Sequence, residues 1–411
     1  MTTPDITPSD EQNRALLAVR RWLNDPVARR RPFELRGLAG TGKTTIAFLI
    51  AREVRGVVKS AAFTGKAASV LRKKGMPGAT TIHNLIYTPT GTSNQKERKA
   101  LEELIDAMMQ RDPADRNQLH LSAWRTQLDE LNRRSRANFE LKAEDKAEIC
   151  EANLVIIDER SMVDIKMQKD LESFGVPILF LGDPGQLKPV MGAMSDAPAD
   201  FTLTEIHRQA AESPIIRLAH DLRNGKFPAF GDYGQGVEVL RKSAWDWDRV
   251  SRADQVLVGM NATRQRLNVG IRRHRGFTKL FPEAGEKLIC LNNNHEEGFL
   301  NGVTCMTTAE AIKNGPTVLL EVDWEGERKK FFADAGHFEE NYGKRASYPG
   351  SGAEIERFDY GYAVTVHKAQ GSQWRDVVIA DDRMRASDLE HRKSWLYTAV
   401  TRAEERLTIY G

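Results

Sequence analysis

The chemistry in this chain is concentrated first in Gly37-Leu38-Ala39-Gly40-Thr41-Gly42-Lys43-Thr44-Thr45. The spacing G-x-x-x-x-G-K-[ST] is that of a phosphate-binding loop. A polyphosphate carries several negative charges that must leave water together. Glycines let backbone N–H groups curl around those charges without a Cβ in the way. The helix that follows turns its positive dipole end toward them. Gly37, Gly40, Thr41, Gly42, Lys43, Thr44 and Thr45 form the predicted cradle. Lys43 reaches the β- and γ-phosphates, and the Thr44 hydroxyl is the predicted Mg²⁺ ligand.

A second group of polar residues recurs at the ends of apolar runs. Leu154-Val155-Ile156-Ile157 ends in Asp158-Glu159, and Pro177-Ile178-Leu179-Phe180-Leu181 ends in Gly182-Asp183-Pro184-Gly185-Gln186. Beside a phosphate loop, Asp158 is a second expected Mg²⁺ ligand and Glu159 the expected base that orients water. Gln186 has two readings, a contact that senses the γ-phosphate or a solvated turn residue. Arg208 reads either as a surface arginine or as a finger reaching a phosphate from elsewhere in the chain, and Arg402 reads as a surface or C-terminal-turn arginine. Gln12 reads as a solvated helix residue or as a partner for adenine.

These groups need elements to hold them. Phe33-Glu34-Leu35 before the loop and Ile46–Ala51 after it read as strand and helix. Val57–Phe63, Leu154–Glu159, Pro177–Asp183, Asp254–Gly259, Val377–Ala380 and Arg406–Tyr410 read as further strands. Strands apolar on both faces indicate a parallel sheet covered by helices on both sides, with ligands at the carboxyl ends. Ser9 or Asp10 caps a first helix carrying Ala15, Leu16, Val19 and Leu23. Thr64-Gly65-Lys66 reads as an anion-friendly helix start or as an ordinary strand-to-helix turn. Residues 88–147 are charged in both signs and read as an insertion with a solvated face. Thr317–Trp324 followed by Glu325-Gly326-Glu327 reads as a β-hairpin inside a small β-rich insertion.

Composition sets bounds. The 411 residues are 40% hydrophobic and 28% charged, enough for a sizeable core. A net charge of +3 does not by itself announce nucleic acid, so any basic surface is local. Cys150, Cys290 and Cys305 are an odd number without metal-ligand spacing, which fits a reducing, cytoplasmic setting. Met1–Asp10 lacks the apolar core of a signal peptide, and no run approaches the length of a membrane span.

The order of motifs resembles that of the superfamily 1 helicases, in their RecD-like, Dda-type group. The residues that carry the resemblance are the phosphate loop, Thr64-Gly65-Lys66-Ala67-Ala68, Thr81-Ile82-His83, Asp158-Glu159, Gly182–Leu187, His207-Arg208-Gln209, Val366–Gly371 and Tyr397–Arg402. The resemblance implies an α/β fold of two RecA-like domains with parallel sheets, each carrying an inserted subdomain, the second SH3-like. The implied division is 1–87 with 148–200, an insertion at 88–147 where relatives carry a strand-separating pin, 201–275 with 358–411, and an insertion at 276–357. It implies ATP and Mg²⁺ in the cleft, with Lys43, Glu159, Gln186, Arg208 and Arg402 catalytic and Gln12 near adenine. It implies contacts to single-stranded DNA from Thr64, Lys66, His83, Thr365 and His367. The implied activity is ATP-driven unwinding of forked duplex with 5′-to-3′ movement, beside a single-strand-binding or replication protein and away from membranes. Three positions depart from the family pattern: Arg160 where a small or apolar residue is usual, Lys188 where proline is common, and Gln373 where an acid is common.

Overall fold

The computed structural model describes residues 8–89, 139–143, 147–187, 198–206, 212–292, 294, 298–299, 301–339, 355–382 and 389–411. The expectations for Arg208, for Lys188 and for nearly all of the 88–147 insertion fall outside these residues.

The chain opens with α1 (Asp10–Asn24), β1 (Phe33–Gly37), α2 (Lys43–Glu53), β2 (Val58–Ala62), α3 (Gly65–Lys73), β3 (Thr80–Thr81) and α4 (Ile82–Ile86). The short strands β4 (Tyr87–Pro89) and β5 (Phe139–Leu141) pair antiparallel and bracket the first insertion. Then follow β6 (Leu154–Asp158), α5 (Ile165–Glu172), β7 (Ile178–Gly182) and β8 (Phe201–Leu203). The six longer-range strands form one sheet in the order β3-β2-β6-β7-β1-β8, with every pairing parallel. In β6, Leu154 and Ile156 face one core while Val155 and Ile157 face another. That two-sided burial is why the run is wholly apolar, each such side chain contributing about 1.5–3 kcal/mol.

A second sheet is built from β9 (Gly231–Gly234), β10 (Val237–Leu240) and β11 (Gln255–Val258), after α6 (Pro214–Arg223) and around α7 (Trp247–Arg252). α8 (Asn261–His274) leads out of it into β12 (Lys287–Cys290), β13 (Thr304–Thr307), β14 (Ile312–Asn314), β15 (Thr317–Trp324), β16 (Glu327–Asp334) and β17 (Phe358–Tyr360). These six pair antiparallel as a separate small sheet. Its last strand lies just past the expected 276–357 range. The chain returns through β18 (Ala363–Thr365), α9 (Val366–Ala369), β19 (Trp374–Ala380), α10 (Leu389–Val400) and β20 (Ala403–Tyr410). The second sheet runs β18-β11-β19-β20-β10-β9 and is parallel except at β9–β10.

The hairpin expected with a Glu325-Gly326-Glu327 turn is present, but Glu327 already belongs to β16 and pairs with Trp324, so the turn has two residues. Both turn residues take positive φ, 53° and 93°, the primed geometry that matches strand twist. Ser9, not Asp10, caps α1, and Gln12 completes a capping box with it.

Candidate nucleotide site and nucleic-acid face

β1 ends at Gly37, and the loop reverses through Gly40 and Gly42, at φ 81° and 80°, before α2 begins at Lys43. Those left-handed angles are why glycine stands at both positions. Gly37 is needed for space, since a Cβ there would lie 2.5 Å from Thr41 Oγ1. Lys43 Nζ donates to the carbonyls of Gly37 at 2.6 Å and Leu38 at 2.9 Å, and stands 3.8 Å from Asp183 Oδ2. Gln12 is buried against this loop. Its Oε1 accepts from Ser9 N at 3.1 Å, and its Nε2 lies 3.5 Å from the Thr41 carbonyl.

Asp158 and Glu159 come off the end of β6 as sequence required. Burial raises the Asp158 pKa against the opposing pull of Lys43, Lys74 and Arg402. Burial also raises that of Glu159, to about 7, with Arg402 opposing and Asp158 adding to the rise. Buried acids gathered this way favour a cation beside them. Glu159 sits at φ 56°, a left-handed conformation that a non-glycine residue holds only under constraint. Gln186 is buried, and among the described residues its Oε1 has no hydrogen-bond partner.

The opposite wall comes from the second sheet. Arg402 follows α10 and is buried, with Nε to Thr398 O at 3.0 Å and Nη1 to Ser372 O at 3.1 Å. Its Nη1 lies 3.9 Å from Glu159 Oε1. Between the two walls is a cavity of about 310 Å³. Gly40, Gly42, Lys43, Thr44, Thr45, Asp158, Glu159, Gln186 and Arg402 line it, so the structure gathers these predicted residues. It also adds Lys74, Asp183 and Gln373, to which the sequence reading gave no role. Lys74 lies about a helix length past Thr64 and offered no local signal. Asp183 stood inside a quoted motif, so its position at a strand's carboxyl end was the usable clue.

A family model described as an AAA domain matches residues 19–242, more than half of the chain, and a UvrD-like helicase C-terminal domain model matches residues 360–410. The chain belongs to the AAA-domain family, and the two models together support the resemblance to RecD-like superfamily 1 helicases. It is similar to the ATP-dependent RecD2 DNA helicase of Deinococcus radiodurans, 28% identical over 296 residues. That match covers 63% of this chain and 36% of the relative, so the chain spans about a third of the relative's length. In fold it is similar to Pif1 helicases. One, from work on unwinding at forked duplex DNA by two coordinating Pif1 helicases, has TM-score 0.54 at 18% identity, covering 99% of this chain and 92% of that one. Another, Bacteroides Pif1 bound to single-stranded DNA, has TM-score 0.53 at 16% identity, covering 99% and 93%.

The residues expected to face DNA are grouped around helix starts. Thr64 caps α3, its Oγ1 accepting from Ala67 N at 3.2 Å, and Lys66 follows in the first turn. Burial and the nearby Lys73 lower the Lys66 pKa, while Glu325 at the β15–β16 turn opposes the shift. Thr365 stands at the N-cap position of α9 without a side-chain capping bond, and His367 stacks on His391 at 6.4 Å between ring centroids. Gly371 fits against Thr64 and Ala67 so closely that a Cβ there would lie 2.6 Å from Ala67 Cβ. The segment with His367 therefore abuts the helix with Lys66. His83 lies between Phe63 and Tyr87, at centroid distances of 5.7 and 5.5 Å. Phe63 was not singled out from sequence, although an aromatic directly before Thr64 was available as a signal. No helix among the described residues is long and apolar enough to cross a membrane.

Proposed function

We propose that this chain is an ATP-dependent DNA helicase, with ATP bound between the two parallel sheets. The observation that carries the reading is the 310 Å³ cavity with Lys43, Thr44, Asp158, Glu159 and Gln186 on one wall and Arg402 on the other. A site divided in this way hydrolyses efficiently only when its halves close, because Arg402 must meet charge developing on the transferred phosphoryl group. Lys43 moves from the Gly37 and Leu38 carbonyls onto phosphate. Glu159 orients the attacking water, and Gln186 senses the γ-phosphate through its side-chain amide N–H donors. Gln12 contributes at adenine, and Arg208 is a second finger. Thr44 and Asp158 would hold Mg²⁺, which when bound supplies charge neutralisation between the phosphates; the buried acids fit such a cation.

Single-stranded DNA would cross both halves along Thr64, Lys66, His83, Thr365 and His367, with the Phe63–His83–Tyr87 rings available for stacking. Phosphate contacts and stacking give binding with little sequence preference and strong salt dependence. Cleft closure then moves one grip against the other and steps the enzyme along the strand, in the 5′-to-3′ sense, opening a fork ahead. The division into 1–87 with 148–200, 88–147, 201–275 with 358–411, and 276–357 assigns the two motor halves and their insertions. A single-strand-binding or replication protein is the proposed companion, in the cytoplasm.

The test is ATP turnover with and without single-stranded DNA, in wild type and Lys43→Ala, together with strand separation on forks bearing 5′ or 3′ tails. The expected result is DNA-stimulated turnover lost in Lys43→Ala and unwinding from the 5′ tail. Turnover indifferent to DNA would overturn the reading. Turnover without strand separation on either tail would replace it with a translocase that remodels nucleoprotein.

A further inference from the structure

The helix that brings Arg402 to the cavity also sends a side chain through to the other wall. Tyr397, fully buried, accepts a hydrogen bond on its hydroxyl from Ala39 N–H at 3.0 Å and donates to Asp183 Oδ2 at 2.9 Å. Its ring lies on Gly185, where a Cβ would stand 2.6 Å from a ring carbon. The next residue accepts from the same loop, Thr398 Oγ1 from Leu187 N–H at 2.9 Å. Arg402 is in turn referenced to this helix end, its Nε donating to the Thr398 carbonyl. A single oxygen, Asp183 Oδ2, thus faces both Tyr397 and Lys43.

We propose that Tyr397 is a positioning residue that seats α10 on the phosphate-binding loop and so sets where Arg402 stands relative to the nucleotide. The inference rests on the ATP-hydrolysis reading of the cavity and goes beyond it. The physical reason is the shared partner. Lys43 now lies on the Gly37 and Leu38 carbonyls, within reach of Asp183. When Lys43 turns to phosphate, Asp183 keeps Tyr397 as its close donor. Ala39 N–H, on the loop that encloses the phosphates, holds the same hydroxyl. A phenol is long enough to cross between the walls and both accepts and donates, as these two partners require. Phenylalanine retains the ring on Gly185 and loses both bonds.

The test is Tyr397→Phe, alone and combined with Arg402→Lys. For DNA-stimulated turnover, the expected result is a fall in kcat of fivefold or more with KM for ATP within twofold of wild type. The double variant is expected to fall no further than Arg402→Lys alone, because the tyrosine acts through the arginine. Independent structural damage would instead multiply the two losses and overturn the proposal, as would a kcat within twofold of wild type. Hydrogen exchange in the nucleotide-free protein supplies a readout that needs no turnover. The Ala39 amide should exchange faster in Tyr397→Phe, and unchanged protection there would also overturn the proposal. Failure of wild type to hydrolyse ATP would bear on the reading of the cavity, and the Ala39 exchange result would still decide the contact.

Discussion

Replacing Arg160 with methionine should destabilise the protein by about 3 kcal/mol, and the structure explains why so much. Arg160 is 3% exposed and Glu34, its partner, 4%. Its Nε donates to Glu34 Oε1 at 2.9 Å, Nη1 to the Val163 carbonyl at 2.7 Å and Nη2 to Gln168 Oε1. The guanidinium also lies over the Phe180 ring, 4.7 Å from its centroid. Methionine fills a similar volume, so the cavity contribution is small, and the main cost is a buried carboxylate without its principal partner. Removing one member of a buried pair typically costs about 3–5 kcal/mol. The lower end applies because Arg36 still donates to Glu34 Oε2, at 3.1 and 3.2 Å. For a folding unit of about 200 residues that corresponds to a melting shift of ~6–12 °C. Urea titration of wild type, Arg160→Met, Glu34→Met and the double variant closes a cycle. The double variant should recover much of the loss, with a coupling of about 2 kcal/mol. A single-variant cost below about 1 kcal/mol, or additive losses, would refute the reasoning. Because Arg160 adjoins Glu159, turnover measured on the same variants reports whether the pair also holds the left-handed backbone at that position.

Gly371→Ala introduces a Cβ 2.6 Å from Ala67 Cβ and strains a φ of 75°, so it should hold the two halves apart and lower DNA-stimulated turnover at least tenfold; near-wild-type turnover would show that the close approach is dispensable. Lys66→Ala should reduce the slope of log affinity for single-stranded DNA against log salt by about 0.7, measured by fluorescence anisotropy, and an unchanged slope would remove Lys66 from the phosphate contacts. Lys287 is held at a pKa of about 7 chiefly by burial, with its Nζ on Asp254 O and Gln255 Oε1. Between pH 7 and about 10.4 the unfolded chain binds the extra proton, so the cost of folding with this lysine is complete below pH 7 and fades as pH rises. The melting temperature of Lys287→Met relative to wild type should therefore be most favourable near pH 6 and decline toward pH 9; a pH-independent difference would contradict that pKa.

Much of the site was legible in sequence because its chemistry is local. A phosphate loop requires its glycines, lysine and threonine in one turn, and φ near 80° at Gly40 and Gly42 bears out the reason for them. Apolar runs such as Leu154–Ile157 announced buried parallel strands because both faces are covered, and the acids at their ends had to sit where such strands end. The Glu325-Gly326 turn was equally local. The departure at Arg160 was visible as an anomaly but could not be explained, since Glu34 lies 126 residues away.

What sequence determined about this chain is therefore one wall of the proposed nucleotide cavity and the elements that carry it. The tertiary structure alone decided how the second wall meets the first. No spacing rule brings Arg402 to 3.9 Å from Glu159, joins the Tyr397 hydroxyl to Ala39 and Asp183, or seats Gly371 on Ala67. Those contacts join residues hundreds of positions apart, and they depend on how two separately wound sheets pack. Local propensity fixes each sheet's strands and turns, whereas the packing between sheets follows from shape and charge that exist only once both have folded.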